Sequence, residues 1–240
     1  MATPRLDRIP SADGDTFTGH VVLPPAGSGP GVLLLQEIFG VNDFVLGKAE
    51  ALAGLGYVVC CPDVFWRVER DVALGHDDEA LARGLELGGR FGSEVDGDVT
   101  LSDLTAALDH LRGLPETTGR VGVLGYCLGG TLAYLVATAA PVDACVSYYG
   151  SGVAGALDRA DRLGCPALFH FGGRDDYIAA ADADAVAAAF SSRDDVVVRI
   201  EPDAGHAFEN LLSPHFANPD AASRSWPVTA DFLARWLQQR

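Results

Sequence analysis

Two patterns of hydrophobic residues alternate along the chain. Short runs of consecutive or alternating apolar residues, typical of strands, are separated by longer stretches in which apolar residues recur every three or four positions, as in helices. The predicted strands cover residues 16–23, 31–36, 57–61, 121–124, 144–148, 167–171 and 196–200. The predicted helices cover residues 43–55, 74–92, 101–111, 128–139, 179–190 and 221–239. Strands and helices therefore alternate over most of the sequence.

This alternation predicts an α/β fold. Consecutive strands that are separated by a helix need a right-handed crossover, so the central sheet should be mostly parallel, with helices on both of its faces. Ligands of such proteins bind at the carboxyl ends of the strands. We therefore expect the chemistry in the residues that directly follow each strand.

Composition and charge narrow the range of functions. The chain has 240 residues, enough for one large α/β domain or two small ones. Its formal net charge of −16 argues against binding to nucleic acids or to anionic membrane surfaces. No run of eighteen apolar residues is present, and residues 1–10 lack the apolar stretch of a secretory signal. These features predict a cytoplasmic protein without a membrane span.

The cysteines do not form a disulfide or metal pattern. There are five of them, with no CxxC pair, and we expect free thiols: Cys60, Cys61, Cys127, Cys145 and Cys165. Most lie in apolar runs, where a thiol behaves as a small hydrophobic group. Because the chain has no HxH, HExxH or Cys/His cluster, we expect no metal, and no cofactor is needed for the chemistry described below.

One cysteine lies in a context that predicts reactivity. Residues 125–130 read Gly-Tyr-Cys-Leu-Gly-Gly and join a predicted strand to an apolar helix, which is the pattern of a nucleophile elbow with Cys127 in the place more often held by serine. The glycines let strand and helix approach, and the helix N-terminus favours a thiolate. The N–H of Leu128 can stabilise an oxyanion. The alternative is a core cysteine beside a tight turn, which this glycine spacing disfavours.

A base and an acid follow in the order that such hydrolases use. His206 lies on a glycine-containing loop after the predicted strand 196–200, where its imidazole can take the thiol proton. Two adjacent carboxylates, Asp175 and Asp176, follow the strand 167–171. Spacing alone does not choose between them, and one of them can be a helix cap.

Several further short segments are distinctive in combination with the elbow. They are Gln36-Glu37-Ile38-Phe39-Gly40-Val41-Asn42, Cys61-Pro62-Asp63, Tyr148-Tyr149-Gly150, Phe169-His170-Phe171-Gly172-Gly173 and Gly205-His206-Ala207-Phe208. Together with the elbow, they make the chain resemble the dienelactone hydrolase family (carboxymethylenebutenolidases) over nearly its whole length. The resemblance implies a single α/β-hydrolase domain over residues 1–240.

The resemblance also implies roles for individual residues. It implies a catalytic triad of Cys127, His206 and Asp175, in preference to Asp176. In the family, the glutamate at position 37 interacts with the resting cysteine and helps to generate the thiolate when substrate arrives. The neighbouring N–H of Ile38 would be the second oxyanion donor.

The expected substrate-binding residues depart from the family pattern. In the archetypal enzyme, an arginine that binds the substrate carboxylate lies four positions after the catalytic histidine, where this chain has Asn210, and the intervening serine position is Ala207. A second family arginine belongs before the long helix, where both Arg83 and Arg90 are candidates; Phe39 completes the set. Because a neutral amide cannot form a bidentate pair with a carboxylate, the chemistry transfers better than the substrate does.

We therefore expect a hydrolase that cleaves a small ester or lactone, of the dienelactone type, through Cys127 and a thioester acyl-enzyme. The alternative is a general carboxylesterase or thioesterase of the same fold that acts on a neutral substrate. A third interpretation is a non-catalytic thiol redox sensor, which needs a reactive cysteine but no intact triad. The expected partner is a small-molecule ester or lactone, and the expected assembly is a monomer or weak homo-oligomer.

Overall fold

A computed structural model of the chain describes residues 4–238. The chain divides into two compact units, Met1–Val121 and Gly122–Arg240. Each unit contains strands and helices in alternation, so the α/β class predicted from the sequence is confirmed. Among residues 4–238, no helix combines the length and the apolar character that crossing a membrane requires. The expectation of a single domain over residues 1–240 stays a prediction.

Within residues 4–121, the first unit contains four complete strands and three helices. They are β1 (Arg5–Pro10), β2 (Thr16–Val22), β3 (Gly29–Leu35), α1 (Asp43–Gly54), β4 (Val58–Pro62), α2 (Asp78–Glu94) and α3 (Gly97–Gly113). The strand order is β1-β2-β4-β3, in which β2 pairs antiparallel with β1 and β4, whereas β3 and β4 are parallel. Helix α3 packs on β3 and β4.

The second unit is parallel throughout. Strand β5 (Thr117–Tyr126) begins in the first unit and continues into the second, where it is followed by α4 (Leu128–Ala139), β6 (Ala144–Tyr148), β7 (Ala167–Gly172), α5 (Ala180–Ala189), β8 (Val196–Glu201) and α6 (Pro219–Leu233). A 3₁₀ segment, Ala154–Arg162, precedes β7, and a π-helical turn, Ala234–Gln238, extends α6. The strand order is β5-β6-β7-β8, and every adjacent pair is parallel.

The buried strands are those that the sequence marked by continuous apolar runs. All residues of β4 and β6 are buried, and Val32 to Leu35 of β3 have no exposed surface. Strands that are covered on both faces need apolar side chains at every position rather than at alternate ones. This is why these strands were predictable.

Other elements differ from the expectation. Strand β1 was not predicted, because five of its six residues are not buried and it therefore carries no apolar signal. Helix α2 begins at Asp78 rather than at residue 74, since the Asp77 side chain caps it by accepting a hydrogen bond from the N–H of Ala80. The predicted helix 221–239 starts earlier, at Pro219, and its last residue lies outside the described residues.

Two glycines of α2 form a notch for the segment that follows β3. A Cβ at Gly84 would lie 3.1 Å from the carbonyl oxygen of Ile38, and a Cβ at Gly88 would lie 3.2 Å from the Cγ2 of the same residue. The side chain of Ile38 therefore packs against bare backbone of the helix. A Cβ at Gly89, by contrast, would meet nothing within 4 Å. Glycine disfavours a helix, but these two glycines of α2 are needed for its close packing on Ile38.

Alanine substitutions should separate the packing glycine from the unconstrained one. Glycine inside a helix costs about 0.5–1 kcal/mol relative to alanine, so Gly89→Ala should raise the free energy of unfolding by about that amount. Gly84→Ala adds a methyl group against the backbone of Ile38, so this protein should be about 1–3 kcal/mol less stable than Gly89→Ala. Urea unfolding of the two variants and the wild type measures this difference. Equal stabilisation by both substitutions would contradict the packing described here.

Candidate active site

The cysteine of the predicted elbow lies between a strand and a helix. Strand β5 ends at Tyr126, α4 begins at Leu128, and Cys127 between them has φ 54° and ψ −114°. A positive φ in a residue with a Cβ is unfavourable and persists only where the surroundings enforce it. The N–H of Cys127 donates a hydrogen bond to the carbonyl oxygen of Tyr148, at 3.0 Å, which ties the turn to the end of β6.

The glycines of the elbow are required by space. A Cβ at Gly125 would lie 1.9 Å from the carbonyl oxygen of Gly129, and a Cβ at Gly130 would lie 2.4 Å from that of Tyr148. No other residue type fits at either position without moving backbone. The sequence pattern Gly-x-Cys-x-Gly-Gly therefore reflects the close approach of α4 to β5 and β6.

Three predicted side chains are in direct contact. The Nε2 of His206 lies 3.1 Å from the Sγ of Cys127, and its Nδ1 lies 2.9 Å from the Oδ2 of Asp175. The carboxylate that contacts the imidazole is thus that of Asp175, whereas Asp176 is exposed. The order sulfur–imidazole–carboxylate is the one in which a base is held between a nucleophile and an orienting acid.

The carboxylate of Asp175 is held by backbone donors. Its Oδ1 accepts hydrogen bonds from the N–H groups of Tyr177, at 2.8 Å, and Ile178, at 3.0 Å. Its Oδ2 faces the imidazole of His206, and the carboxylate side chain has no exposed surface. A carboxylate with three partners in fixed directions fixes the orientation of the ring.

The charge state of His206 depends on its neighbours. Burial on its own would lower the pKa of His206. The negative charge of the Cys127 sulfur and hydrogen bonds with Asp175 and Cys127 outweigh burial and raise the pKa from 6.5 to about 10. The imidazole is therefore protonated at neutral pH when it faces a thiolate, and the two charges stabilise each other.

The remaining cysteines have a different environment. Cys127 is half-buried, whereas the other four thiols are buried. Burial raises the pKa of each of those four, which are Cys60, Cys61, Cys145 and Cys165. These thiols are kept neutral inside the protein and pack as small apolar groups.

The loop that carries His206 lies close against the end of β7. A Cβ at Gly172 would lie 2.5 Å from the carbonyl oxygen of Gly205, so the loop can take this position only beside glycine. The residue after the histidine, Ala207, has φ 51°. A buried ring, that of Tyr149, packs on the imidazole with centroids 5.2 Å apart. Backbone and aromatic packing together therefore hold the imidazole in place.

Sequence reasoning assigned no role to three aromatic neighbours of His206. Besides Tyr149, the ring of Tyr177 lies 5.0 Å from the imidazole and that of Phe216 lies 6.3 Å from it, both measured between centroids. Tyr177 is only two positions after Asp175, and this spacing was the available signal. Nothing in the pattern of the chain marked Phe216.

The predicted residues after β3 belong to the first unit. Glu37 is buried, with 1% of its surface exposed. Ile38 packs into the notch of α2 through Gly84, and the ring of Phe39 lies 5.7 Å from that of His76. These contacts hold the segment 37–39 in a defined conformation within its own unit.

The two candidate arginines are paired with carboxylates. Arg83 contacts Glu69 and lies 2.7 Å from Glu86, and Arg90 lies 2.9 Å from Glu94. Their charges are therefore partly compensated within the first unit. This pairing was not anticipated from the sequence, although the spacings of three and four residues on one helix allow it.

Asn210, at the position of the family arginine, is fully buried. Its Oδ1 accepts a hydrogen bond from the N–H of Leu212, at 3.3 Å, and its own N–H donates to the carbonyl oxygen of Ala207, at 2.9 Å. The amide thus helps to shape the turn that follows the histidine.

A second histidine of this unit is buried away from such chemistry. His170 has no exposed surface, its Nε2 lies 3.0 Å from the Oγ1 of Thr229, and burial, followed by the charge of Arg199, lowers its pKa to about 3. It is therefore neutral and structural. Within residues 4–238, no three His, Cys, Asp or Glu side chains are grouped as metal ligands.

Known proteins resemble this chain over nearly its whole length. The sequence profile described as the dienelactone hydrolase family matches residues 17–237. The chain is 36% identical over 226 residues to the carboxymethylenebutenolidase of Pseudomonas putida, which covers 94% of each chain. It is 35% identical over 246 residues to the carboxymethylenebutenolidase of Rhodococcus opacus, covering 98% of this chain and 89% of the relative.

A solved structure gives the same result. A dienelactone hydrolase-like promiscuous phosphotriesterase from metagenomic libraries matches 98% of this chain and 100% of its own, with a TM-score of 0.80 and 25% identity. The family profile spans far more than half of the sequence, and the two curated relatives exceed 30% identity over almost all of it. The chain therefore belongs to the dienelactone hydrolase family and has the α/β-hydrolase fold.

Proposed function

We propose that this protein hydrolyses a small ester or lactone with Cys127 as the nucleophile and His206 as the general acid and base. The observation that carries this proposal is the continuous contact from the Cys127 sulfur through the His206 imidazole to the Asp175 carboxylate. Membership of the family makes the chain a carboxylic ester hydrolase. The nucleophile and the acyl-enzyme are parts of our proposal.

In the acylation step, the thiolate of Cys127 attacks the carbonyl carbon of the substrate. A C–S bond forms, and the π electrons move to the carbonyl oxygen. As the first residue of α4, Leu128 has an N–H without an acceptor inside the helix, so this N–H is suited to bind the oxyanion. The intermediate then collapses, the C–O bond breaks, and Nε2 of His206 protonates the departing oxygen.

In the deacylation step, the neutral imidazole of His206 takes a proton from water. The hydroxide equivalent attacks the thioester carbon, and the C–S bond breaks after a second tetrahedral intermediate. The sulfur of Cys127 leaves as a thiolate beside the newly formed imidazolium, which restores the starting pair. Asp175 orients the ring in both steps and faces the imidazolium while the ring is charged.

Two residues of the first unit are included on the strength of the family resemblance. From the resemblance we assign the second oxyanion contact to the N–H of Ile38 and a role in maintaining the Cys127 thiolate to Glu37. The notch in α2 supports a positioning requirement for Ile38, since Gly84 brings helix backbone against its carbonyl group. The almost complete burial of Glu37 supports a role other than that of a surface carboxylate.

Two classes of substrate are candidates for this site. A small-molecule lactone of the type named for the curated relatives is the first candidate. A neutral ester is the second, and it is favoured by the uncharged Asn210 and by the pairing of Arg83 with glutamates. A cytoplasmic location and a monomer or weak homo-oligomer stay predictions from the sequence.

Removal of the sulfur should abolish turnover. Cys127→Ala should lower kcat/KM for a dienelactone and for p-nitrophenyl acetate by at least about 1,000-fold, because no nucleophile remains to form the acyl-enzyme. Cys165→Ala is the matched control: its thiol is buried, so it should hydrolyse both esters at nearly the wild-type rate. Substantial activity in Cys127→Ala would show that the proposed nucleophile is wrong.

The two adjacent carboxylates provide a second matched pair. Asp175→Asn should lower kcat by about 100-fold or more, because an amide no longer fixes the tautomer of His206 or stabilises the imidazolium. Asp176→Asn changes an exposed side chain and should stay within about twofold of wild type. A non-catalytic thiol sensor would show no turnover even in the wild type, so steady-state kinetics of the wild type and both variants also test that alternative. Equal effects of the two changes would contradict our assignment.

The raised pKa of His206 has a defined pH dependence. The folded value of about 10 lies above the ordinary 6.5, so protonation of His206 stabilises the fold fully below pH 6.5. This contribution is lost as the pH rises through about 10. NMR titration should find the imidazole of His206 protonated at pH 8 in the wild type. In Cys127→Ala the midpoint should fall, since the sulfur charge is removed; a wild-type midpoint near 6.5 would disprove the pair.

A further inference from the structure

Two partly exposed rings lie beside the imidazole of His206. The ring centroid of Tyr177 is 5.0 Å from that of the imidazole, the centroid of Phe216 is 6.3 Å from it, and the two rings are 6.3 Å from each other. Tyr177 is 53% exposed and Phe216 is half-buried. The third ring on the imidazole, that of Tyr149, is fully buried. Only the first two rings therefore have surface that a substrate can cover.

The position of Tyr177 is tied to the triad. Its backbone N–H donates to the Oδ1 of Asp175, and the other oxygen of the same carboxylate contacts the Nδ1 of His206. The ring of Tyr177 and the imidazole are thus positioned from one buried carboxylate. This arrangement fixes the position of the Tyr177 ring relative to the Nε2 of His206.

The proposed chemistry places the leaving group at these rings. The proton moves from Nε2 of His206 to the departing oxygen, so that oxygen must come within about 3 Å of Nε2. The group attached to the oxygen then extends over the next few ångströms, which is the distance at which Tyr177 and Phe216 lie from the imidazole. The leaving group, more than the acyl group, should therefore contact the two rings.

The segment that carries the histidine contains little charge, and Arg174, three residues before Tyr177, is already paired with Asp203 at 3.0 Å. Residues 206–212 read His-Ala-Phe-Glu-Asn-Leu-Leu and contain no lysine or arginine. The one acidic residue, Glu209, is buried and hydrogen-bonded to Ser225. Leu211 and Leu212 are 52% and 54% exposed. A flat apolar leaving group would gain contacts with the two rings, whereas a charged group would lose hydration where the exposed arginine of this loop is already paired.

We propose that Tyr177 and Phe216 form a binding subsite for a flat, uncharged leaving group, so that the preferred substrates are aryl or enol esters. This proposal rests on the function proposed above, because it is the proton donor His206 that brings the leaving oxygen to the rings. The two residues determine specificity by contact with the substrate and take no part in proton transfer.

The test compares two esters with the same acyl group, phenyl acetate and methyl acetate. Tyr177→Ala and Phe216→Ala should each lower kcat/KM for phenyl acetate by about three- to tenfold, while methyl acetate changes by less than about twofold. Tyr177→Phe keeps the ring and should keep the preference for the phenyl ester. Phe232→Ala is the control, since its half-buried ring contacts Trp236 on the last helix and should leave both esters unchanged.

A charged probe tests the second half of the proposal. The wild type should hydrolyse phenyl acetate with a higher kcat/KM than 4-carboxyphenyl acetate, corrected for the spontaneous hydrolysis of each ester. Equal or faster turnover of the carboxylated ester would overturn the preference for an uncharged group.

The remaining outcomes distinguish this proposal from the proposed function. Alkylation of Cys127 by iodoacetamide reports on the sulfur–imidazole pair without using a leaving alcohol, and it should proceed at the wild-type rate in both alanine variants. If the variants lower the rates for both esters equally, or lower neither, the subsite is disproved while the cysteine mechanism stands. If Cys127→Ala still hydrolyses both esters, the proposed function itself fails.

Discussion

The contact between the Cys127 sulfur and the His206 imidazole is the interaction on which the rest of the site depends. A thiolate and an imidazolium 3.1 Å apart are mutually stabilising, but burial opposes the charge on the ring, so the pair needs fixed partners. Asp175 supplies the partner on the far side of the ring, and backbone N–H groups hold its carboxylate. The elbow turn, the loop of His206 and the backbone donors to Asp175 keep these three groups in place.

The backbone fixes the positions of Cys127 and His206. Cys127 is placed at the start of α4 by a turn with positive φ, and the turn is possible because glycines allow α4 to approach β5 and β6. The loop of His206 approaches β7 in a similar way, beside Gly172. Side chains then complete the enclosure, with the buried ring of Tyr149 on one part of the imidazole and the more exposed ring of Tyr177 on another. Rigid strands and short glycine turns thus define where the reactive atoms lie, and aromatic residues define what can reach them.

The elements that could be predicted from the sequence are those whose own residues show a strong hydrophobic or glycine pattern. Strands β4 and β6 could be read from the sequence because every residue in them is buried, and the elbow could be read because steric limits allow only glycine at two of its positions. Strand β1 escaped notice because most of its side chains are not buried, so that pairing with β2 rather than hydrophobicity defines it. The glycines of α2 weakened a helical pattern for a reason that lies outside the helix, in its contact with Ile38.

The sequence by itself determined the α/β class, the position of Cys127 between a strand and a helix, and the order in which acid and histidine follow it. Each of these features depends on short runs of consecutive residues, whose backbone preferences are strong, and on the order of those runs along the chain. The family resemblance favoured Asp175 over Asp176, but only the tertiary structure shows the Asp175 carboxylate facing His206 and the rings of Tyr177 and Phe216 beside the imidazole. Those contacts join residues that are up to 31 positions apart in the sequence, or distinguish two neighbours with the same side chain. The spacing of residues along the chain does not specify the direction in which a side chain points. That direction is set when the loops pack against the folded sheet.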